Sequence, residues 1–320
     1  VLQSEQILCA LGEASEELKD DASLSQLVDA LDRLPLALEL AAAKTGVLTI
    51  EQMLARIESH RSHWEDNDRQ ERHQTLRASL DWSWELLTGT EQSVLAQCAV
   101  FRGGFTTQLA EDVVEIQEDC SVSQVLSNLQ RKSLIHGTPV RLTLLHVTAA
   151  FAREKLEEAG ETKAVQYRHA IAIANHCKSL RKSHLFEGWQ PLGALGLERQ
   201  NLAAAMQSGP NPDVHFELYL SLDWILTLGG PVSQRRNLFD ALPAPDQLTN
   251  RSQMYYRFKE ALLCALTKDV QACSDALELA YEHAVKEQDS TLLGSFLQDA
   301  LNIVCSQRMD SDLWLGRLRA

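Results

Sequence analysis

Apolar residues recur along most of this chain at the three- and four-residue spacing of amphipathic helices. Leu24, Leu27, Val28 and Leu31 share one helical face near the start. Pro35 then suits the first turn of a new helix, where its missing N–H costs nothing. Leu and Ala dominate the composition, and both favour helices. The pattern predicts a mostly α-helical protein.

Breaks in this pattern divide the chain into four segments. Helical signals at 1–60 are followed by an almost wholly polar stretch at 61–74, which we interpret as an exposed linker. A third segment is expected at 75–158, and only helical signals follow at 161–320. Helices paired in series are typical of an α-solenoid, and the small residues loosely fit TPR-like repeats.

One stretch of the third segment alternates like β-structure. Residues 134–136 and 140–143 flank a Gly-Thr-Pro turn at 137–139, which predicts a β-hairpin. A helix is expected from about Leu145 to Glu158. Several helices and one hairpin are the elements of a winged helix-turn-helix domain, with a recognition helix at Ser123–Ser133.

Composition and charge narrow the possible functions. The 320 residues are 45% hydrophobic, which suffices for a buried core, and 30 basic against 44 acidic residues give a net charge of −14. Within 75–157 there are seven bases and ten acids, which argues against direct DNA contact. Seven Cys without a C-x-x-C motif fit a reducing cytoplasm and suggest no metal site. No apolar run is long enough to predict a membrane span.

Seven motifs, in order, resemble those of STAND-class (NB-ARC-like) signal-transduction ATPases, which occur in bacterial SARP-type and LuxR-type regulators. The motifs are R-L-P-L-A-L-E-L-A-A-A at 33–43, T-L-R-A-S-L-D-W-S-W-E-L-L at 75–87, V-F-R-G-G-F at 100–105, L-x-x-L-x-x-K-S-L-I at 126–135, F-A-R-E-K-L at 151–156, R-H-A at 168–170 and E-R-Q-N-L-A-A-A at 198–205. The similarity spans about residues 24–242.

The resemblance implies a lid remnant (ARC-like) at 1–60, a winged-helix clamp at 75–158 and a TPR-like sensor at 161–320. In such proteins, ADP bound against an upstream P-loop domain holds the resting form, and exchange for ATP lets the parts separate. This chain has no G-x-x-x-x-G-K-[ST] motif, so it should not hydrolyse ATP and is not expected to be an enzyme as given. We expect it to belong to a longer protein and to meet ADP or ATP only together with that upstream domain.

The same resemblance indicates nucleotide-contact residues. Leu34, Pro35 and Leu36 match a motif whose Pro packs against the base, although the spacing alone favours a plain helix start. Arg33 stands where the family has Gly, and its side chain would either crowd the base or contact a phosphate. His146 lies one place past a family His that reaches the β-phosphate of ADP from the end of the wing hairpin; the other interpretation is a His partly buried under the wing.

Two functions are consistent with these residues. The first is the regulatory and sensor segment of a STAND switch, which clamps ADP with its own upstream nucleotide-binding domain and binds a protein or small-molecule signal at the helical repeats. The alternative is a stand-alone helical-repeat scaffold that binds protein partners without nucleotide switching. Arg33 in place of Gly and the displaced His146 favour the alternative.

Overall fold

The computed structural model describes residues 21–44, 48–61, 71–116, 120–138, 140–187, 190–208, 211–227, 230–307, 309 and 311–319. Within these ranges the chain is mostly helical, with one short antiparallel hairpin and a series of paired helices, which confirms the predicted fold class. None of the helices in the described ranges is long and apolar enough to cross a membrane. The chain divides into two compact units, Val1–His169 and Ala170–Ala320.

The first unit is a set of helices followed by the hairpin and two further helices. In chain order its elements are α1 (Asp21–Ala30), α2 (Pro35–Ala42), α3 (Ile50–Arg61), α4 (Glu71–Glu85), α5 (Gly89–Cys98), α6 (Thr107–Val113), α7 (Val122–Arg131), β1 (His136–Thr138), β2 (Arg141–Thr143), α8 (His146–Glu158) and α9 (Thr162–Glu187), the last of which continues into the second unit.

Helices α1 to α4 share one hydrophobic core. Leu27 and Leu31 of the predicted α1 face are fully buried against Leu38, Met53 and Trp82. Residues 1–20 and 62–70 lie outside the described residues, so most of the predicted linker at 61–74 is not described. Helix α4 nevertheless begins at Glu71, so the start of the third segment placed at 75 falls inside a helix.

Capping residues fix several helix starts. Thr49 and Gln52 form the reciprocal pair of a capping box, with N–O distances of 3.1 and 3.4 Å. A second capping box joins Thr88 and Glu91 ahead of α5.

The hairpin forms, but its predicted register was wrong. His136 pairs with Thr143, and Gly137 and Thr138 lie within β1 rather than in the turn. Leu134 and Ile135, expected in the strand, are buried in the core before it begins. The strand therefore starts only after these two apolar side chains have entered the core.

The second unit is entirely helical in its described residues. Its elements are α10 (Gln190–Leu197), α11 (Arg199–Gln207), α12 (Pro212–Thr227), α13 (Val232–Asp240), a 3-10 turn (Pro245–Gln247), α14 (Asn250–Leu266), α15 (Val270–Lys286), α16 (Ser290–Ser306) and α17 (Asp312–Arg319). Apolar periodicity predicts helices at 252–267, 269–287 and 290–306, and α14, α15 and α16 confirm them to within two residues. The pattern also predicts a helix at Leu197–Met206. In the structure Leu197 ends α10, and the next helix begins only at Arg199.

Consecutive helices of the second unit pack through small residues. Ala276 and Ala280 of α15 are buried against Phe296 and Ala300 of α16. Such side chains let neighbouring helices approach closely, as in helical repeats. The same unit also holds an aromatic cluster of Phe216, Tyr219, Phe239 and Tyr256.

Candidate functional site

The turn before α2 carries the first group of predicted site residues. Asp32 and Arg33 have positive φ angles of 50° and 55°, a left-handed conformation that favours Gly. Leu34 is extended, and Pro35 occupies the first helical position. This left-handed backbone at position 33 explains why the related motif has Gly there. The Arg33 guanidinium does not extend freely, because it donates to Asp29 Oδ1 over 2.8 and 3.0 Å.

This turn exposes one of its three candidate residues. Leu34 is half-buried against the α1–α4 core, Leu36 is half-buried, and the ring of Pro35 is exposed. Beside them, the buried Thr75 hydroxyl donates to Asp32 Oδ2 over 2.5 Å. Thr75 opens the second family-like motif and Asp32 directly precedes the first, so this hydrogen bond ties the second motif to the turn before the first.

A second contact of the 75–87 motif involves Lys44, which directly follows the first motif and which sequence reasoning missed. The Lys44 side chain is buried, its Nζ donates to Ser83 Oγ over 2.7 Å, and it lies 4.1 Å from the centre of the Trp82 ring. Burial lowers the pKa of this amine from 10.5 to about 7. Its burial depends on packing against α4, so no local sequence signal could have shown it.

The V-F-R-G-G-F motif holds the hairpin in place. Gly103 and Gly104 have φ angles of 74° and 93°, which lets Phe105 pair with Leu142 through two hydrogen bonds of 2.8 Å. The Arg141 guanidinium donates back to the Gly103 and Gly104 carbonyls over 3.2 and 3.0 Å. The two glycines thus have a structural role in this unit.

The R-H-A motif also has a structural role in the first unit. The Arg168 guanidinium donates to Gln97 Oε1 over 2.9 Å and pairs with Glu115 over 3.0 Å. The buried His169 ring contacts Phe101 edge-on, with ring centres 5.2 Å apart. These contacts join α9 to α5 and to the segment that follows α6.

His146 lies at the first position of α8 and is exposed, not buried beneath the hairpin. The preceding Leu145 is apolar and supplies no side-chain cap to the helix. Within the described residues, the buried hydroxyl of Thr148 in the same helical turn has no hydrogen-bond partner. The start of α8 therefore presents free backbone N–H groups and an exposed imidazole.

The structure places the candidate residues in two locations of the first unit. Leu34, Pro35 and Leu36 are consecutive at the start of α2, whereas His146 starts α8. In the described part of the chain, no hydrogen bond, ion pair or ring contact joins the two locations. Nor does any group of three or more His, Cys, Asp or Glu side chains there suit a metal ion.

The second unit holds a buried charged cluster. Asp223, fully buried, accepts from Arg235 Nε over 2.7 Å and from Lys259 Nζ over 2.9 Å. Burial opposes ionisation of Asp223, but the charge of Lys259 and the hydrogen bonds from both bases outweigh it, so its pKa lies below the usual value. The cluster links α12, α13 and α14.

Two proteins of known sequence resemble part of this chain. No family model matches the chain. The uncharacterized protein Rv0894 of Mycobacterium tuberculosis is 33% identical over 165 residues, which cover 46% of this chain and 40% of that protein. Rv0890c of the same organism, which carries the name of an HTH-type transcriptional regulator, is 33% identical over 156 residues, or 46% of this chain and 18% of that protein.

A solved structure shares the fold of this chain. It is the STAND protein with a tetratricopeptide repeat sensor, PH0952, from Pyrococcus horikoshii. The match has a TM-score of 0.53 and 13% identity and covers 98% of this chain and 46% of that one. The fold therefore resembles part of a STAND protein with a repeat sensor, and the chain spans less than half the length of each of these three proteins.

Proposed function

We propose that this chain is the regulatory and sensor segment of a STAND-class nucleotide switch in the cytoplasm. The observation that carries the proposal is the fold likeness over 98% of the chain to a STAND protein with a repeat sensor. The first unit would close on ADP held by a P-loop domain elsewhere in the same protein. The helical repeats of the second unit would bind a protein or small-molecule signal that biases this equilibrium.

The burial and exposure of the motif residues and of His146 support this proposal. Gly104, Arg168 and His169 of the matched motifs are accounted for by packing and hydrogen bonds inside the first unit. Pro35 and His146 are exposed, so neither side chain is needed to fill the core. These two residues are therefore the ones we assign to nucleotide contact.

Each of them suits one part of ADP. The Pro35 ring is rigid and apolar and has the half-buried Leu34 and Leu36 as neighbours, which suits a flat heterocyclic base. The uncapped start of α8 offers backbone N–H groups and the positive end of the helix dipole, which favour a phosphate. His146 adds an imidazole that can donate a hydrogen bond to the same anion.

Contacts made by the basic residues of the segment at 75–158 favour an internal clamp over a DNA-binding domain. Of the two bases that we expected on a recognition helix, Lys132 pairs with Glu91 over 2.7 Å, and Arg131 bonds the Asn128 side chain over 2.5 Å. Both bases are thereby engaged within the protein. In this proposal the winged-helix segment transmits nucleotide state, and any DNA contact belongs to another domain of the whole regulator.

The proposal is tested by measuring nucleotide that co-purifies with the intact protein, including whatever is encoded in frame ahead of Val1. We expect bound ADP in the wild type, reduced in Pro35→Ala and in His146→Ala. Pro212→Ala is the matched control, because Pro212 also starts a helix but lies in the second unit. Equal ADP retention in all variants would remove both residues from the nucleotide site, and an intact protein without a P-loop or nucleotide would favour a helical scaffold.

A further inference from the structure

A polar cleft lies within the first unit, between α5 and the start of α9. Its volume is about 470 Å³, within the range of roughly 300–1,000 Å³ that is typical of small-molecule sites. The lining residues fall on one face of each helix, at the first, fourth and eighth positions of a run. They are Thr90, Ser93 and Gln97 of α5, and Glu161, Ala164 and Arg168 in or just before α9.

Arg168 is held in this cleft by contacts that leave one of its nitrogens replaceably bound. Its Nε donates to the Val113 carbonyl over 2.8 Å, and its Nη2 donates to Oε1 of the buried Gln97 over 2.9 Å. The remaining nitrogen, Nη1, pairs with Glu115 over 3.0 Å. The Glu115 side chain is 72% exposed, and so exposed a partner contributes little to stability. A ligand carboxylate can therefore take its place at small cost.

The α5 side of the cleft offers further hydrogen-bond donors. Ser93 Oγ accepts from Gln97 Nε2 over 3.0 Å, and neither its own proton nor the Thr90 hydroxyl has a partner among the described residues. The capping box ahead of α5 satisfies the N–H of Glu91, which leaves the N–H groups of Gly89 and Thr90 without an intrahelical acceptor. Together with Arg168, these groups suit a small anionic group.

Glu161 adds a negative charge at the start of α9. Its side chain is exposed, and within the described residues it makes no hydrogen bond or ion pair. A cationic group in the cleft would pair with it. Ala164 and Ile116 add small and apolar surface to the same cleft. The lining thus has a place for a group of each charge.

We propose that this cleft binds a free α-amino acid as its zwitterion. The ligand carboxylate replaces Glu115 on Arg168 Nη1 and accepts hydrogen bonds from the start of α5. The ligand ammonium pairs with Glu161, and the ligand side chain lies against Ala164 and Ile116. A purely anionic ligand would be repelled by Glu161, and a purely cationic one would leave Arg168 and the α5 donors unused.

Binding at this place joins α5 to α9, the helix that continues into the second unit. Because the ligand contacts the folded cleft, it stabilises the first unit. The lining contains neither Pro35 nor His146. The proposal is therefore independent of nucleotide binding, and either can fail without the other.

The test measures binding of the common L-amino acids, each added singly to the protein, by thermal shift and by isothermal titration calorimetry. We expect saturable binding of at least one of them, with a rise in Tm. For the amino acid that binds best, the primary amide lacks the carboxylate and the N-acetyl derivative lacks the ammonium. Each derivative should bind at least about tenfold more weakly.

Glu161→Gln keeps the size of the side chain but removes its charge, and should weaken binding of that amino acid about tenfold. It should not weaken binding of the N-acetyl derivative, which has no ammonium to lose. The matched control is Glu111→Gln, at an exposed carboxylate of α6 that does not line the cleft, and it should change neither affinity. Circular dichroism establishes that both variants are folded.

A folded wild type that binds none of the amino acids overturns the proposal. An amide that binds as tightly as its amino acid overturns it in favour of a cation site, and an equally tight N-acetyl derivative overturns it in favour of an anion site. Unchanged amino-acid affinity in Glu161→Gln, or an equal loss in Glu111→Gln, also overturns it.

Discussion

The Arg168 guanidinium donates a hydrogen bond to the side-chain oxygen of Gln97 over 2.9 Å. Gln97 is 2% exposed, and its amide also accepts from the Glu115 N–H over 3.0 Å and donates to the Glu115 carbonyl over 2.8 Å. One buried amide thus joins α5, α9 and the segment after α6. Its removal would break all three of these hydrogen bonds at once.

Gln97→Leu should therefore lower the free energy of unfolding by about 2–3 kcal/mol, because three hydrogen bonds made by one buried amide are lost together. Denaturant unfolding followed by circular dichroism measures this change. The control is Gln130→Leu, since Gln130 is exposed and donates to the Gly137 carbonyl over 2.9 Å; its cost should stay below about 1 kcal/mol. Equal losses in the two variants would contradict the role of Gln97.

Gly104→Ala should destabilise the first unit by more than about 2 kcal/mol. An added Cβ would lie 2.7 Å from the Leu142 carbonyl oxygen, and the φ of 93° disfavours any side chain. Gly89→Ala is the matched control, because a Cβ there meets nothing within 4 Å, and it should be neutral or stabilising. Thermal unfolding distinguishes the two, and a harmless Gly104→Ala would show that the pairing of Phe105 with Leu142 tolerates movement.

Arg33→Gly should leave stability unchanged or raise it by up to about 1 kcal/mol. Relief of the left-handed backbone at φ 55° outweighs the exposed ion pair with Asp29. Arg33→Val should instead cost about 1–2 kcal/mol, because a β-branched residue is least suited to this conformation. Denaturation midpoints of the two variants test the ordering, and the reverse order would exclude backbone strain at this position.

The stability of the wild type should rise with pH above about 7. The pKa of Lys44 is about 7 when folded and 10.5 in its unperturbed form. Between these values the unfolded state binds more protons, so unfolding becomes harder as pH increases, by up to about 1.4 kcal/mol per pH unit. The free energy of unfolding, measured in urea at pH 7, 8 and 9, should rise less steeply with pH for Lys44→Met than for the wild type. Identical slopes would mean that Lys44 is not buried as described.

Asp223→Asn should cost about 3–5 kcal/mol, because Arg235 would keep a buried charge without its counter-ion. Asp240→Asn tests the same chemistry at an exposed pair with Arg236, where a loss of at most about 1 kcal/mol is expected. Chemical unfolding of both variants checks the contrast. A small loss at Asp223 would indicate that water reaches the cluster.

Local patterns predicted the helices well, because the spacing of apolar residues within a helix shows directly which face of that helix is buried. The α14, α15 and α16 bounds follow from such periodicity. The hairpin register could not be predicted in this way. Leu134 and Ile135 look like strand residues in the sequence, but they are buried in the core before the strand begins. Pairing of Phe105 with Leu142 depends on distant residues and leaves no local signal.

The candidate site was predictable only in part. Pro35 indicated a helix start correctly, whereas the left-handed backbone of Arg33 and its contact with Asp29 are visible only in the structure. The burial of Lys44 against Ser83 joins positions 39 residues apart, which no spacing rule captures. Assignment of Pro35 and His146 to nucleotide contact remains a prediction from the family resemblance.

The central claim is best tested by the nucleotide content of the intact protein, extracted after gentle purification and resolved by chromatography. The account predicts close to one ADP per protein, with less retained by Pro35→Ala and His146→Ala than by Pro212→Ala. An intact, folded protein that carries a P-loop domain yet retains no nucleotide, with or without added ADP, would contradict it.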